Sequence, residues 1–291
     1  MFDWLLMPLT YSFMQRGLLA ALLVGVLCAV IGCYVVLRGM AFLGDALAHA
    51  ILPGVALAYL WGGNLLVGAF LAAVVVAVGI GFFSRGSTLK EDTAIGILFA
   101  AALALGVALI SSIRTYATDL SHILFGNVLG VSERDLWLTA ALGLLIVATI
   151  VVLYKPFLVI SFDPNLAATL RLPAEPLRFL MLVLLALTVV VSLQTVGVGL
   201  VAAMLVTPAA TAYLVTRRLV TMMLVSALIG AFSSVAGLYL SFYVNAASGA
   251  VMVLVATLVF MLVFLLAPRR GWVWQRLGRS RPAQPGQPAA H

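Results

Sequence analysis

Long apolar runs, separated by short polar or basic segments, make up almost the whole chain. In a run such as residues 65–83, LLVGAFLAAVVVAVGIGFF, apolar and polar positions do not alternate, whereas they do alternate along the strands of a membrane β-barrel. A bilayer core requires about 20 apolar residues per helix, and a helix satisfies its own backbone in lipid. The pattern therefore predicts an all-α polytopic membrane protein with about nine transmembrane helices, within a range of about eight to ten. The predicted spans are residues 17–37, 45–61, 65–83, 93–113, 135–154, 177–195, 196–216, 219–241 and 248–267.

The composition supports a membrane protein and excludes a sizeable soluble domain. Of the 291 residues, 65% are hydrophobic and 9% are charged, whereas a soluble domain carries about 25% charged residues. The formal net charge is +7, which in a soluble chain could indicate a nucleic-acid partner. The positive-inside rule explains this excess better, so we predict no nucleic-acid partner.

The distribution of basic residues predicts the orientation of the chain. With the C-terminus in the cytoplasm, thirteen of the 16 basic residues fall on the inner side of the membrane, as the positive-inside rule requires. Nine spans then place the N-terminus outside. We predict an interfacial N-terminal segment at residues 1–16, a transmembrane domain at residues 17–267, and a disordered basic tail at residues 268–291 that contacts membrane lipid.

Two ionisable residues, Asp45 and His49, lie at the start of the second predicted span, in GDALAHAILPG. Four residues apart on a helix, they share one face, and a carboxylate with an imidazole suits Mn²⁺, Fe²⁺ or Zn²⁺. Ionisable groups within membrane spans are costly and indicate function. The alternative is that Asp45 caps the helix at the inner interface and His49 is a core histidine. Two ligands are too few for a metal site, so a symmetric partner would have to supply a second pair.

The outer segment at residues 116–131 is predicted to form a helix that lies at the outer face of the membrane. Asp119 and His122 lie three residues apart in it and could relay a metal ion on its way in. The alternative is a helix N-cap at Asp119 beside a surface histidine.

The longest inner loop, residues 155–176, is predicted to hold a short helix parallel to the membrane. Asp163-Pro164 is typical of a helix start, with proline at the first helical position. The stretch NLAATLRL then gives about two amphipathic turns, which Pro173 and Pro176 end. The candidate residues of this segment are Asp163, Pro164, Asn165, Leu166, Ala167, Leu170 and Arg171.

Sequence motifs of catalysis are absent. Neither lysine, Lys90 or Lys155, follows a glycine, so the sequence contains no GxxxxGK phosphate-binding loop, and it contains no HExxH or GxSxG. We therefore predict that the chain is not an enzyme. Cys28 and Cys33 fit no common metal or redox spacing, and we predict that they are apolar core thiols.

Five stretches, in this order, resemble the metal-type permeases of bacterial ABC transporters, which import manganese, zinc and iron. They are VVLRGMAFLGDALAHAILPGVALAYLWG, DLSHILFGNVLGV, FDPNLAATLRLP, QTVGVGLVAAMLVTPAATAYLV and SFYVNAASGAVMVL. The resemblance implies a vitamin-B12-importer-like permease fold in the bacterial inner membrane, paired with a second permease copy as a homodimer. It also implies two cytoplasmic ATPase subunits below the permease and an extracytoplasmic metal-binding protein above it.

The resemblance also implies roles for individual residues. Asp45 and His49 match the family's intramembrane metal-coordinating pair, and residues 162–173 match the coupling helix that seats in the ATPase. A departure is Ala48, where serine is expected in many relatives; this change leaves both ligands in place but alters their surroundings. The resemblance implies no permanently bound cofactor and Mn²⁺, Zn²⁺ or Fe²⁺ as the transported ion. DLSH together with FGNVLG favours manganese.

The predicted function is the permease subunit of an ATP-driven importer of divalent transition metal ions. An alternative is a secondary metal carrier or channel that works without ATP, although such a protein should hold more charges inside its spans. A metallohydrolase using Asp45 and His49 would need a third ligand and a catalytic acid or base, and no predicted span offers them.

Overall fold

The computed structural model describes residues 7–84, 91–112, 128–162 and 164–267, and within these ranges the long elements are all α-helices. Single 3₁₀ turns form at Met7–Thr10 and Val128–Gly130. The helices, in chain order, are α1 Ser12–Leu37, α2 Leu43–Ala50, α3 Leu52–Leu60, α4 Leu65–Phe83, α5 Glu91–Ser111, α6 Glu133–Val152, α7 Tyr154–Phe162, α8 Pro164–Thr169, α9 Ala174–Val196, α10 Val198–Val215, α11 Leu219–Val244 and α12 Ser248–Leu266.

The prediction of an all-α polytopic membrane protein is confirmed. Among the described residues, eight helical segments are long and apolar enough to cross a membrane, with Leu43–Leu60 counted as one segment, and Leu200–Val215 is a shorter apolar helix. The predicted range of eight to ten spans therefore holds. The predicted tail at residues 268–291 lies outside the described residues.

Most predicted bounds differ from the observed ones by a few residues, and two of the differences are informative. Helix α1 begins at Ser12 and not at residue 17, because Gln15 and Arg16 reach partners at the helix end: Gln15 donates to the Leu9 carbonyl, and Arg16 lies 3.9 Å from Glu133. Residues 12–16 thus extend the first helix. The weak break predicted between residues 195 and 196 falls at Gly197, whose φ of +83° suits glycine and separates α9 from α10.

Helix α1 lies at the centre of the bundle. In its most apolar 18-residue window 67% of the residues are buried, against 17% for α6 and for α12. Helix α1 packs against α6, α9, α10 and α11, whereas α6 and α12 expose apolar side chains such as Leu144 and Leu254. Because the exposed side chains are apolar, the outer helices present a surface suited to lipid.

Glycine pairs bring neighbouring backbones into contact, as small residues do between helices in membranes. Gly54 of α3 faces the backbone of Gly68 of α4, and a Cβ on either residue would overlap the other helix. Gly25 of α1 and Gly230 of α11 form a second pair of this kind, with a Cβ on Gly230 only 2.5 Å from the Gly25 carbonyl oxygen. These helix pairs therefore have no room for a side chain between them.

The substitution Gly54→Ala is expected to lower the melting temperature of the purified protein. Its Cβ would lie 2.6 Å from the Ala72 Cβ and closer still to the Gly68 carbonyl oxygen, and such overpacking costs about 1–3 kcal/mol. Gly96→Ala is the matched control, because a Cβ at this helical glycine meets nothing within 4 Å. Thermal unfolding in detergent measures the difference, and equal melting temperatures for the two variants would contradict the close approach.

The prediction of two core thiols is confirmed. Cys28 and Cys33 are both free and fully buried. The Cys28 sulfur lies 3.5 Å from the Ser192 hydroxyl, and the Cys33 thiol donates to the Ala29 carbonyl at 3.3 Å. Each thiol therefore has a local hydrogen-bond partner in the core.

Candidate functional site

The span that carries Asp45 and His49 is broken into two helices, α2 and α3, which meet at Ile51. Proline at position 53 lacks the N–H that would bond to the His49 carbonyl in a continuous helix. The predicted span at residues 45–61 thus contains a break, for which Pro53 was the visible signal. The break lies two residues after His49.

Asp45 and His49 face each other on α2. Asp45 Oδ1 lies 3.6 Å from His49 Nε2, and the side chains are 49% and 27% exposed. The capping residue of α2 is Phe42, which makes no side-chain capping bond, so Asp45 does not serve as the N-cap. The exposure of His49 likewise argues against a fully enclosed core histidine. The geometry leaves both groups available to a ligand.

The His49 ring is held by packing. It meets the Phe99 ring of α5 edge-on, with the ring centroids 5.7 Å apart. The Nδ1 atom is buried and has no hydrogen-bond partner within the described part of the chain. Helix α5 approaches closely here because Gly106 packs against Leu52 and Pro53. The ring orientation thus depends on α5 as well as on α2.

A cavity of about 300 Å³ lies between α2 and α5, and Asp45 lines it. A second carboxylate, Asp92 in the first turn of α5, lines the same cavity. Asp92 immediately precedes the predicted span at residues 93–113, and it was not among the predicted site residues. A signal was available, since Asp92 and Asp45 both follow polar segments predicted to lie on the inner side. The lining residues are Phe42, Asp45, Ala46, Asp92, Ile95, Gly96 and Phe99.

Oxygen and imidazole donors at this position suit Mn²⁺, Fe²⁺ and Zn²⁺. Within the described ranges no group of three or more His, Cys, Asp or Glu side chains converges on one point. In that part of the chain Asp45 and His49 stand as a pair, which is fewer donors than the three or four protein ligands of most zinc sites. Ala48 is fully buried, so this position faces the core and not the cavity.

The predicted inner helix exists as α8, and it is shorter than predicted. Pro164 begins it as expected, but it ends at Thr169, and Arg171 lies beyond it with φ of +53°. The N–H of Leu172 bonds to the Ala167 carbonyl at 3.0 Å, the 6→1 bond of a Schellman end. The prediction that Pro173 and Pro176 end this helix is wrong, because the left-handed residue ends it first and Pro176 lies in the first turn of α9.

One side of α8 is apolar and exposed, and the other is buried. Leu166 and Leu170 are 47% and 55% exposed, Phe162 just before the helix is 62% exposed, and Ala167 is fully buried. Asn165 belongs to the first turn of α8, and Arg171 is exposed. An exposed apolar row on a loop between spans is a surface suited to another protein.

Three predicted residues lie outside the described residues. They are Asp119 and His122 of the outer segment and Asp163 before α8. The proposed outer relay and the predicted helix N-cap therefore stay predictions.

Comparison with known proteins gives the chain its family. Residues 10–267 match the model of the ABC 3 transport family. The chain is 49% identical over 276 residues to the manganese transport system membrane protein MntC of Halalkalibacterium halodurans, covering 95% of this chain and 94% of that protein. It is 43% identical over 262 residues to a probable iron transport system membrane protein of Haemophilus influenzae, covering 90% and 96% respectively.

A solved structure agrees with this assignment over nearly the full length. PsaBC from Streptococcus pneumoniae in complex with Fab contains a chain that is similar with a TM-score of 0.83 and 39% identity. The match covers 94% of this chain and 99% of that one. From the shared fold and sequence, the chain belongs to the ABC 3 transport family.

Proposed function

We propose that the chain is the membrane-spanning permease subunit of an ATP-driven importer of divalent transition metal ions, with manganese favoured. The observation that carries this proposal is the Asp45–His49 pair, which meets at 3.6 Å beside a cavity and next to a break in its helix. In a membrane-spanning segment such a pair requires a functional reason. Family membership supports a transport role for it.

The ion reaches the pair from an extracytoplasmic binding protein and leaves towards the cytoplasm. Asp45 supplies a carboxylate oxygen and His49 a ring nitrogen, and a second permease copy in a homodimer supplies the other pair. Cys28 and Cys33 are fully buried in the core, so the four ligands include no thiolate. Carboxylate and imidazole ligands alone hold the ion reversibly. Asp119 and His122 remain candidates for an outer relay.

ATP hydrolysis takes place in separate subunits. The sequence has no GxxxxGK loop for phosphate, so two cytoplasmic ATPase subunits supply the energy. They dock on the apolar row of Phe162, Leu166 and Leu170, which is exposed. In this proposal Asp163 and Arg171 flank the docking helix.

The proposed orientation places the C-terminus in the cytoplasm. It puts the end of α1 and the starts of α5 and α9 on the inner side. Arg38 and Arg178 both contact Glu91, so these three helix ends lie on one side of the bundle, and the excess of basic residues there supports the inner side. The chain then sits in the bacterial inner membrane with α8 on the cytoplasmic side.

The choice of metal follows from donors and relatives together. Carboxylate and imidazole donors admit manganese, iron and zinc, and affinity alone favours zinc over manganese. The relatives described above are named for manganese and for iron. Manganese is therefore the favoured substrate, with selection aided by coordination geometry or by the delivery protein.

Uptake of radioactive manganese and zinc, measured separately in proteoliposomes of the complete transporter, tests the proposal. We expect manganese accumulation that requires ATP and an ATPase subunit that co-purifies with the chain. Uptake that proceeds without ATP would favour the secondary carrier or channel. ATP-dependent uptake of zinc alone would retain the importer and overturn the choice of metal.

A further inference from the structure

Polar side chains from four helix ends meet in one cluster on the proposed cytoplasmic side. Arg178 Nη2 donates to Glu91 Oε1 at 2.9 Å and to Ser84 Oγ at 2.6 Å. Arg38 Nη2 lies 3.5 Å from the same Glu91 oxygen. Arg38 caps the end of α1, Ser84 caps the end of α4, Glu91 begins α5 and Arg178 lies near the start of α9. We call these four residues the Glu91 cluster.

The Glu91 cluster is largely withdrawn from solvent. The side chains of Arg38, Glu91 and Arg178 are 12%, 25% and 17% exposed. Burial lowers the pKa of Arg38, and the charge of Glu91 opposes that effect. Arg38 Nη1 and Arg178 Nε are buried without a hydrogen-bond partner among the described residues. A buried ion pair is weak evidence for stability, so this arrangement calls for a reason other than stability.

One side of the cluster is joined to the proposed ATPase-docking segment. Only a short stretch separates Arg178 from the end of α8, and this stretch is held tightly: the Leu172 N–H bonds to the Ala167 carbonyl at 3.0 Å, and the Ala174 N–H bonds to the Leu172 carbonyl at 2.8 Å. The cavity of about 250 Å³ beside the cluster is also lined by Ile160 of α7. A displacement of α8 therefore reaches Arg178 through few flexible bonds.

The other side of the cluster is joined to the metal pair. Glu91 is followed by Asp92, which lines the cavity that Asp45 also lines. The same helix, α5, carries Phe99 against the His49 ring. Arg38 stands at the end of α1, and only the short turn at residues 39–42 separates it from α2. Glu91 thus begins the helix that forms one wall of the cavity, and through Arg38 it contacts the turn that leads into α2, the other wall.

We propose that Glu91 is a positioning residue that joins the ATPase-docking segment to the metal pair. When α9 shifts, the two arginines held by the Glu91 carboxylate carry the shift to α1 and α5, and so to the cavity at Asp45. This inference rests on the proposed function and deepens it. Glu91 touches no transported ion in this role.

The variants Glu91→Gln and Arg178→Lys test this role of Glu91. Gln keeps the volume of Glu91 and removes its charge. Lys keeps the charge of Arg178 but replaces the planar guanidinium, whose Nη2 donates to both Glu91 and Ser84, with a compact ammonium on a flexible stem. Glu133→Gln is the matched control: Glu133 also begins a helix and lies 3.9 Å from an arginine, Arg16, but it is 80% exposed and lies at the opposite end of the bundle.

Manganese uptake and ATP hydrolysis are measured together in proteoliposomes that hold the assembled transporter. We expect both test variants to lower the number of manganese ions transported per ATP by about tenfold, within the usual range of coupling between sites. The control is expected to keep the wild-type ratio. A wild-type ratio in Glu91→Gln overturns the proposal. The proposal is also overturned if uptake falls only in proportion to the amount of assembled complex, because loss of a purely structural contact has that effect.

A second measurement separates this inference from the choice of substrate. Phe42 is 74% exposed and lines the cavity, so the variant Phe42→Cys is labelled with a maleimide in the presence and absence of ATP. The native thiols Cys28 and Cys33 are buried. We expect ATP to change the labelling rate and Glu91→Gln to remove that change. If ATP still changes the labelling rate in Glu91→Gln, the proposed role of Glu91 is overturned. If wild type transports no manganese, the proposed substrate fails, and the labelling still decides the role of Glu91.

Discussion

Manganese uptake is expected to be abolished by His49→Ala and by Asp45→Asn, while the assembled complex is still recovered. Each substitution removes one of two donors that face each other at 3.6 Å, and in a homodimer it removes two of the four. Loss of a group that only supports a ligand costs about 10- to 100-fold in metal affinity or activity, so loss of the ligand itself should cost at least that much. Uptake of radioactive manganese in cells carrying the complete transporter measures the effect.

Asp135→Asn is the matched control for the metal pair. Asp135 lies in the first turn of α6, where it forms a capping box with Ser132. Its replacement removes one carboxylate far from the cavity and costs about 1 kcal/mol of stability. Uptake should therefore match that of wild type. Normal uptake in both His49→Ala and Asp45→Asn would remove the pair from the transport path and leave GDALAHAILPG as a packing element.

The double substitution Leu166→Ala with Leu170→Ala is expected to release the ATPase subunit. Both leucines are about half exposed on one side of α8. Complete burial of a leucine contributes about 1.5–3 kcal/mol. Because only about half of each leucine is exposed, docking of the two contributes about as much as burial of one, so their truncation should weaken binding by about 10- to 100-fold. Co-purification of the ATPase with the tagged permease measures the loss, and metal-stimulated ATP turnover should fall with it.

Leu144→Ala with Leu145→Ala provides the corresponding control on α6. These leucines are 72% and 54% exposed on a helix whose apolar surface suits lipid, so their truncation removes similar apolar area without touching the docking surface. The ATPase should stay bound. If the α8 variant also retains it, the apolar row on α8 is not the docking surface and the energy source must attach elsewhere.

The length of the apolar runs made the fold predictable. Each apolar run predicts one helix, because in lipid a helix forms all its backbone hydrogen bonds within itself. For residues 65–83 the predicted and observed bounds are identical. The pairing of Asp45 with His49 was equally local, since residues four apart lie on one helical face. Such features need no knowledge of what packs against them.

Features that depend on tertiary contact could not be predicted in this way. The left-handed conformation of Arg171 ends α8 early, although arginine carries no preference for that conformation. Arg178 and Glu91 are 87 positions apart in the chain, so no local pattern reports their contact. Asp92 joins the cavity only because α5 packs against α2.

The glycines of α1 have a consequence for motion. Gly25 lies against the backbone of α11, and Gly32 lies against the carbonyl of Leu205 in α10. Backbones in direct contact interlock and do not slide past one another, since packed interfaces behave as discrete arrangements. Helices α1, α10 and α11 are therefore expected to move as one block. In the proposed transport cycle we therefore expect these three helices to rotate together and not to slide past one another.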